Sequence, residues 1–238
     1  MEQTVLTNGS YIQISVSENQ KLFARELVEY SLRHHHVSNI WDKQENFLSQ
    51  TRMMRFTGSL GETVFADTYH LPRPLKSFGA TDGQDWGQDF KIISDEQTFS
   101  LDIKSMKRSS GNLAANYVLN IPAHQLHKPN SKTSHYFCIS FHQSETNGTV
   151  ASLLGFIDKH ALEKGEVGTL YKAGTKRIRS DQTTFTFQKD TYEILLSDID
   201  PPVVTDYIRE LDGFRICSLR IWIIYVYLII IFNFIRIK

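Results

Sequence analysis

Cysteine is nearly absent from this chain, and neither sign of charge is in excess. The 238 residues include only Cys138 and Cys217, too few for a disulfide framework or a cysteine-rich zinc site. Lysine plus arginine number 26, as do aspartate plus glutamate, so the chain lacks the overall positive field of a histone-like binder. Any contact with nucleic acid must therefore come from local clusters of basic residues.

Several familiar catalytic and targeting patterns are missing as well. The sequence has no Gly-x-Ser-x-Gly, no phosphate-binding lysine loop and no paired cysteine ligands, which disfavours a serine hydrolase, a P-loop protein and a zinc finger. The first residues lack the basic and apolar segments of a secretion signal, so we expect a cytoplasmic protein. A chain of this length can bury one good core, and we expect a single domain over residues 1–213.

A long hydrophobic run occurs only in the C-terminal tail, residues 214–238. Residues 221–232 contain no strongly polar side chain, but this run is shorter than the roughly 20 apolar residues that a spanning helix needs. Three interpretations stay open. The abrupt change of composition after Gly213 suggests a frameshifted gene end, extension of the run at both ends would give a membrane anchor, and its β-branched and aromatic content suits a buried or aggregation-prone strand.

Hydrophobic periodicity outlines the remaining elements. Ser17 is placed to cap a helix that ends near His34. Residues 46–56 predict a second helix, and a third is predicted to begin at Gly58 with Glu62 in its first turn. Further strands are predicted at residues 11–16, 117–121, 135–142, 150–157 and 183–188. A final helix that opens with two prolines is predicted at residues 201–211. We therefore expect an α/β (α+β) fold.

The most informative residues, Asp89, Asp102 and Lys104, lie on a predicted β-hairpin. Residues 89–93 and 99–106 have strand character and are joined by a polar turn. Because side chains alternate along a strand, Asp102 and Lys104 share one face, and strand pairing brings Asp89 near Asp102. Two carboxylates and an ammonium group then converge on one patch. Such a patch is able to hold a divalent cation with a lysine beside a metal-bound water. These are groups that an enzyme needs to hydrolyse a phosphodiester.

A helix with a glutamate, a strand with an aspartate and Asp-x-Lys on the next strand resemble the PD-(D/E)xK nuclease superfamily, which includes many restriction endonucleases. The matching segments are Gly61-Glu62, Gly87-Gln88-Asp89-Phe90 and Leu101-Asp102-Ile103-Lys104. The resemblance covers about residues 57–142, and it departs from the family pattern at Gln88, where the family has a proline. It implies a restriction-endonuclease-like mixed central β-sheet flanked by helices.

The resemblance also implies a role for each residue. Asp89 and Asp102, with the main-chain carbonyl of Ile103, would bind Mg²⁺, with Mn²⁺ as a substitute. Lys104 would orient or deprotonate the attacking water, and Glu62 would assist through a water or a second metal. The implied activity is Mg²⁺-dependent, restriction-type cleavage of double-stranded DNA, for which a homodimer with one active site per strand is favoured.

Two alternatives stay open. Asp89-Phe90-Lys91 is a second acidic-x-Lys triplet, and Lys91 becomes the site lysine if Asp82 or Asp85 supplies the first carboxylate. These aspartates lie in a segment without strand character, so we favour Lys104. At the level of the whole chain, the alternative is a nuclease-fold module that binds DNA or protein without catalysis, tethered to a membrane if the tail is an anchor.

Two clusters of basic residues are candidates for phosphate contacts. Lys107 and Arg108 directly follow the strand that carries Asp102. The second cluster consists of Lys172, Lys176, Arg177 and Arg179, in a glycine-containing turn. Phosphate contacts provide salt-sensitive affinity but no sequence information, so the target sequence is not predicted.

Overall fold

The computed structural model describes most of the chain between residues 6 and 218. The described residues are 6–34, 48–75, 89–94, 97–109, 111, 113, 117–127, 131–178 and 182–218. Their helices and strands, in chain order, are β1 Ser10–Ser15, α1 Glu18–His34, α2 Leu48–Thr68, β2 Phe90–Ser94, β3 Gln97–Lys107, β4 Val118–Pro122, α3 Ala123–Leu126, β5 His135–Ser144, β6 Gly148–Asp158, α4 Lys159–Lys164, β7 Thr169–Tyr171, β8 Lys176–Ile178, β9 Thr184–Thr186, β10 Thr191–Leu195, α5 Asp206–Arg209 and β11 Arg215–Ser218.

A six-stranded mixed sheet forms the centre of the fold. Its strand order is β11-β1-β6-β5-β3-β2, and every neighbouring pair is antiparallel except β3 and β5. Parallel strands need a crossover connection, and the chain between β3 and β5 contributes β4 and α3. The expected mixed α/β architecture is confirmed, and β3 lies between the hairpin partner β2 and the buried strand β5.

The two long helices pack on one face of this sheet. Ser17 caps α1 in a capping box, because its Oγ accepts from the Gln20 N–H while Gln20 Oε1 accepts from the Ser17 N–H. Helix α2 buries Leu60, Val64 and Phe65 against the sheet core. The expectation of two helices over residues 46–66 is wrong, because the apolar stripe continues through Gly58 and a single helix forms.

The opposite face is covered mainly by a second, three-stranded sheet of order β4-β10-β7. Leu119 and Ile121 of β4 and Ile194 of β10 join a buried cluster with Tyr136 and Cys138 of β5. The expected flanking by helices therefore holds for one face, since the short α3 and α4 accompany a sheet on the other. Strands β8 and β9 form a separate two-stranded ribbon.

The described chain ends in an edge strand. β11 pairs antiparallel with β1, with Cys217 opposite Tyr11. The sheet thus includes four residues of the predicted C-terminal tail. The final helix expected over residues 201–211 is reduced to the short α5, which Thr205 caps. Within the described residues, no helix has the length and apolar character needed to cross a membrane. The hydrophobic run at residues 221–232 lies outside the described residues.

Candidate active site

The predicted hairpin is present, and its register brings Asp89 to the middle of β3. Phe90 pairs with Leu101, and the Asp89 N–H donates to the Leu101 carbonyl at 2.9 Å. Asp89 Oδ2 accepts a hydrogen bond from the Ile103 N–H at 2.6 Å. The Asp89 carboxylate therefore lies against the main chain of the residue between Asp102 and Lys104.

Asp102 and Lys104 form an ion pair on one face of β3. Lys104 Nζ donates to Asp102 Oδ2 at 2.8 Å, which confirms that the two side chains share a face. Their side chains are 17% and 22% exposed, so the pair is accessible to a ligand while being partly shielded from water. Partial shielding strengthens electrostatic interactions with any charged group that binds there.

Two buried side chains of β5 form the floor beneath this pair. In the parallel ladder, Tyr136 is opposite Asp102 and Cys138 is opposite Lys104. Lys104 Nζ lies 5.3 Å from the centroid of the Tyr136 ring, within cation–π range. Burial raises the pKa of the Cys138 thiol to about 12, so Cys138 is a neutral group. The floor is therefore uncharged, and the charge of the site resides on β3 and Asp89.

Tyr136 contributes a buried hydroxyl to this floor. The residue is fully buried, and its Oη has no hydrogen-bond partner among the described residues. Burial first, and then the charge of Asp102, raises the pKa of Tyr136. No motif marks Tyr136 in the sequence, since its position results from the parallel register of two strands that are distant in the chain.

The donor chemistry of the site fits a hard divalent cation. Carboxylate oxygens of Asp89 and Asp102 and the carbonyl oxygen of Ile103 are the type of ligand that Mg²⁺ prefers. The described residues contain no cluster of three or more His, Cys, Asp or Glu side chains able to hold a metal. A cation held by two carboxylates and one carbonyl would keep several waters, as Mg²⁺ does in sites with one or two carboxylates.

Glu62 does not have the environment expected for it. It lies well inside α2, so the prediction of a first-turn glutamate favoured by the helix dipole is wrong. Helix α2 packs on the face that carries Ile103, whereas Asp102 and Lys104 point to the opposite face. Glu62 thus belongs to the helix layer, and the described residues hold no metal-sized cluster that includes it.

The alternative site lysine, Lys91, lies on the edge strand β2. It is exposed and pairs in register with Ser100. Asp82 and Asp85, the carboxylates that this alternative requires, lie outside the described residues.

The first basic cluster consists of one exposed residue and one residue that is hydrogen-bonded within the protein. Lys107 is exposed at the end of β3. The Arg108 guanidinium donates to the carbonyls of Ser140 and Gly111 and to the Ser152 hydroxyl, at 2.7–2.9 Å. Arg108 is therefore held by contacts within the protein, and its role as a phosphate contact stays a prediction.

The second basic cluster is largely neutralised. Lys172 and Arg177 each form an ion pair with a carboxylate. The partners are Asp190, whose Oδ2 lies 2.8 Å from Lys172 Nζ, and Glu193. Lys176 is exposed on β8, and Arg179 lies outside the described residues. Of the cluster's described members, only Lys176 retains the environment expected of a phosphate contact.

Comparison of the chain with protein-family models, with curated proteins and with solved structures finds no match.

Proposed function

We propose that this chain is a Mg²⁺-dependent endonuclease of the restriction type that hydrolyses phosphodiester bonds in double-stranded DNA. The carrying observation is that the Asp89 carboxylate contacts the main chain of Ile103, the residue between Asp102 and Lys104, which form an ion pair on β3. A hairpin next to a parallel strand in a mixed sheet supports the resemblance to the PD-(D/E)xK superfamily. The restriction-endonuclease-like fold is part of the proposal.

Hydrolysis requires a water oxygen to bond to phosphorus while one ester P–O bond breaks and the departing alkoxide takes up a proton. Asp89, Asp102 and the Ile103 carbonyl would hold Mg²⁺, which supplies Lewis acidity and a more acidic bound water. Lys104, paired with Asp102, is a charged donor that orients the attacking water and stabilises charge on the phosphoryl oxygens. The aromatic face of Tyr136 lies beneath Lys104 Nζ as a cation–π partner.

DNA would be held by exposed basic residues such as Lys176, whose contacts with phosphates would make binding salt-sensitive. Cleavage of both strands would be achieved by a homodimer.

The test is cleavage of supercoiled plasmid DNA with Mg²⁺ by the wild type, Asp102→Asn and Lys104→Met. Asp102→Asn keeps the shape of the side chain and removes its charge, and Lys104→Met keeps the stem and removes the ammonium. We expect each substitution to lower the cleavage rate by at least about 100-fold, the order of magnitude for loss of one charge-stabilising or proton-transfer group. Thermal unfolding of each variant verifies that the fold persists.

Two further variants sharpen this test. Lys91→Met examines the alternative lysine, and Lys132→Met removes an exposed lysine at the opposite end of β5 from Lys107. We expect both to cleave as the wild type does. Loss of cleavage in Lys91→Met but not in Lys104→Met would move the site to the other triplet. DNA binding without cleavage by the wild type would instead support the non-catalytic module.

A further inference from the structure

A pocket of about 330 Å³ lies on the helix-bearing face of the central sheet. It is formed where α1 and α2 meet the ends of β3 and β5 and the start of β6. The basic residues in its lining are Lys21, Arg25, Lys107 and Arg108. None of these belongs to the Asp89, Asp102 and Lys104 group, and the side chains of Asp102 and Lys104 point to the opposite face. The pocket is therefore distinct from the proposed hydrolytic site.

Positive charge in this pocket exceeds negative charge. Among the described residues that line it, Glu18 is the only carboxylate, and it accepts a hydrogen bond from Lys21 Nζ at 2.7 Å. Within the described part of the chain, Arg25 and Lys107 form no ion pair. In a chain of zero net charge, such a local excess creates a positive potential that favours an anion.

One of the cations is held rigidly at the edge of the pocket. Besides its bonds to main-chain and hydroxyl oxygens, Arg108 Nη2 lies 2.9 Å from His142 Nδ1. A guanidinium has no acceptor, so Nδ1 accepts the hydrogen bond and the imidazole is neutral. Burial, followed by the charges of Arg108 and Arg215, lowers the pKa of His142, in agreement with this state. Arg108 thus adds a preorganised positive charge.

The rest of the lining has an apolar part that a simple anion would not use. Phe56 is a partly exposed aromatic side chain beside the cations, and the buried core residues Leu60 and Phe141 complete the apolar lining. Aromatic and aliphatic walls with a few converging charged groups are typical of sites for small organic ligands, and the volume is within their usual range. A ligand that satisfies both parts carries a phosphate group and a planar apolar group.

We propose that this pocket binds the phosphate and base of a single nucleotide, with Arg25 and Lys107 as the phosphate ligands and Phe56 beside the base. The nucleotide is either free or the 5′-phosphorylated end of a DNA strand, because both present the same chemistry. The site stands independently of the proposed hydrolysis, since binding here requires neither Asp102 nor a metal.

The experiment is calorimetric titration of the full chain, without divalent metal, with dAMP, deoxyadenosine and inorganic phosphate. A DNA duplex with and without a 5′-phosphate is titrated in parallel. We expect dAMP or the phosphorylated duplex to bind, and deoxyadenosine and inorganic phosphate each to bind about tenfold or more weakly than dAMP, because each lacks half of the contacts. Binding of dAMP identifies a free nucleotide as ligand, whereas binding of the phosphorylated duplex alone identifies a DNA end.

The variants Arg25→Gln and Lys107→Gln test the residue assignment. Each is expected to weaken binding about tenfold, the usual effect of losing one charge-assisted hydrogen bond. Lys132→Gln is the matched control and is expected to bind as the wild type does. The proposal is overturned if neither dAMP nor the phosphorylated duplex binds, if phosphate alone binds as tightly as dAMP, or if both variants retain full affinity. Repeating the titration with Asp102→Asn separates the two proposals, because its affinity here should be unchanged.

Discussion

Tyr136 combines a ring that supports the site with a hydroxyl that has no partner among the described residues. Replacement by phenylalanine keeps the ring beneath Lys104 and removes only the oxygen. Because a buried unsatisfied polar group costs about 1–3 kcal/mol, we expect Tyr136→Phe to leave the free energy of unfolding unchanged or to raise it by about 1 kcal/mol. Urea denaturation followed by circular dichroism measures this difference.

Tyr117 supplies the matched control, since its hydroxyl is hydrogen-bonded to Ser140 Oγ at 3.0 Å. Tyr117→Phe removes a satisfied hydroxyl and is expected to lower the free energy of unfolding by about 1 kcal/mol. If Tyr136→Phe lost as much stability as Tyr117→Phe, the Tyr136 hydroxyl would have a hydrogen-bond partner in the folded protein. That result would contradict the assignment of this hydroxyl as a buried group without a partner among the described residues.

The residues that sequence reasoning placed correctly depend on local geometry. The common face of Asp102 and Lys104 follows from strand alternation, and the approach of Asp89 follows from pairing across a short turn. The environment of Arg108 could not be foreseen, because its acceptors come from β5, β6 and the segment at Gly111. Long-range partners of this kind leave no periodic signal in the sequence.

Helix α2 lies against β3 at Gly61. A Cβ added there would overlap Ser105 Oγ and lie 3.0 Å from Ser105 Cβ. Alanine is favoured over glycine in a helix by about 1 kcal/mol, but this clash requires the helix or the strand to shift. We expect Gly61→Ala to lower the free energy of unfolding by about 1–3 kcal/mol, the usual cost of overpacking a core.

Gly58 allows the gain in helix propensity to be separated from the steric clash with β3. It lies in the same helix, and a Cβ there would meet nothing within 4 Å. Gly58→Ala is therefore expected to raise the free energy of unfolding by about 0.5–1 kcal/mol. Thermal and urea unfolding of both variants measure the contrast. Equal stabilisation by the two substitutions would contradict the close approach of α2 to β3.

Elements with strong local signals were the predictable ones. The capping box of Ser17 and Gln20 marks the start of α1, and alternating side chains mark β3 and β5. Strand β10 was not predicted, although its central residues are buried, because it has only five residues and is stabilised by pairing with β4 and β7. The continuous helix α2 was missed because Gly58 weakens helix propensity, while burial of the stripe around Val64 compensates for that loss.

At the scale of the whole molecule, three layers determine which residues can meet. The helices α1 and α2 cover one face of the central sheet, and the sheet of β4, β10 and β7 covers the other. This arrangement places Glu62 and the nucleotide pocket on one side and the Asp102–Lys104 pair on the other. Strand order and face assignment depend on pairings between distant segments, so the sequence predicts the presence of a mixed sheet but not its order.

Strand β11 covers the edge of the central sheet, and its contribution is separable from that of the residues after it. It pairs with β1 over four positions, Arg215 donates to Gln13 Oε1, and Cys217 lies opposite Tyr11. The test compares the thermal unfolding of two shortened chains, one ending at residue 218 and one at residue 213. Loss of these contacts is expected to lower the midpoint of thermal unfolding by about 5–10 °C, since 1 kcal/mol corresponds to about 2–4 °C in a protein of this size. Equal midpoints for the two chains, measured by differential scanning calorimetry, would show that the fold does not depend on this strand and would restore the boundary at residue 213.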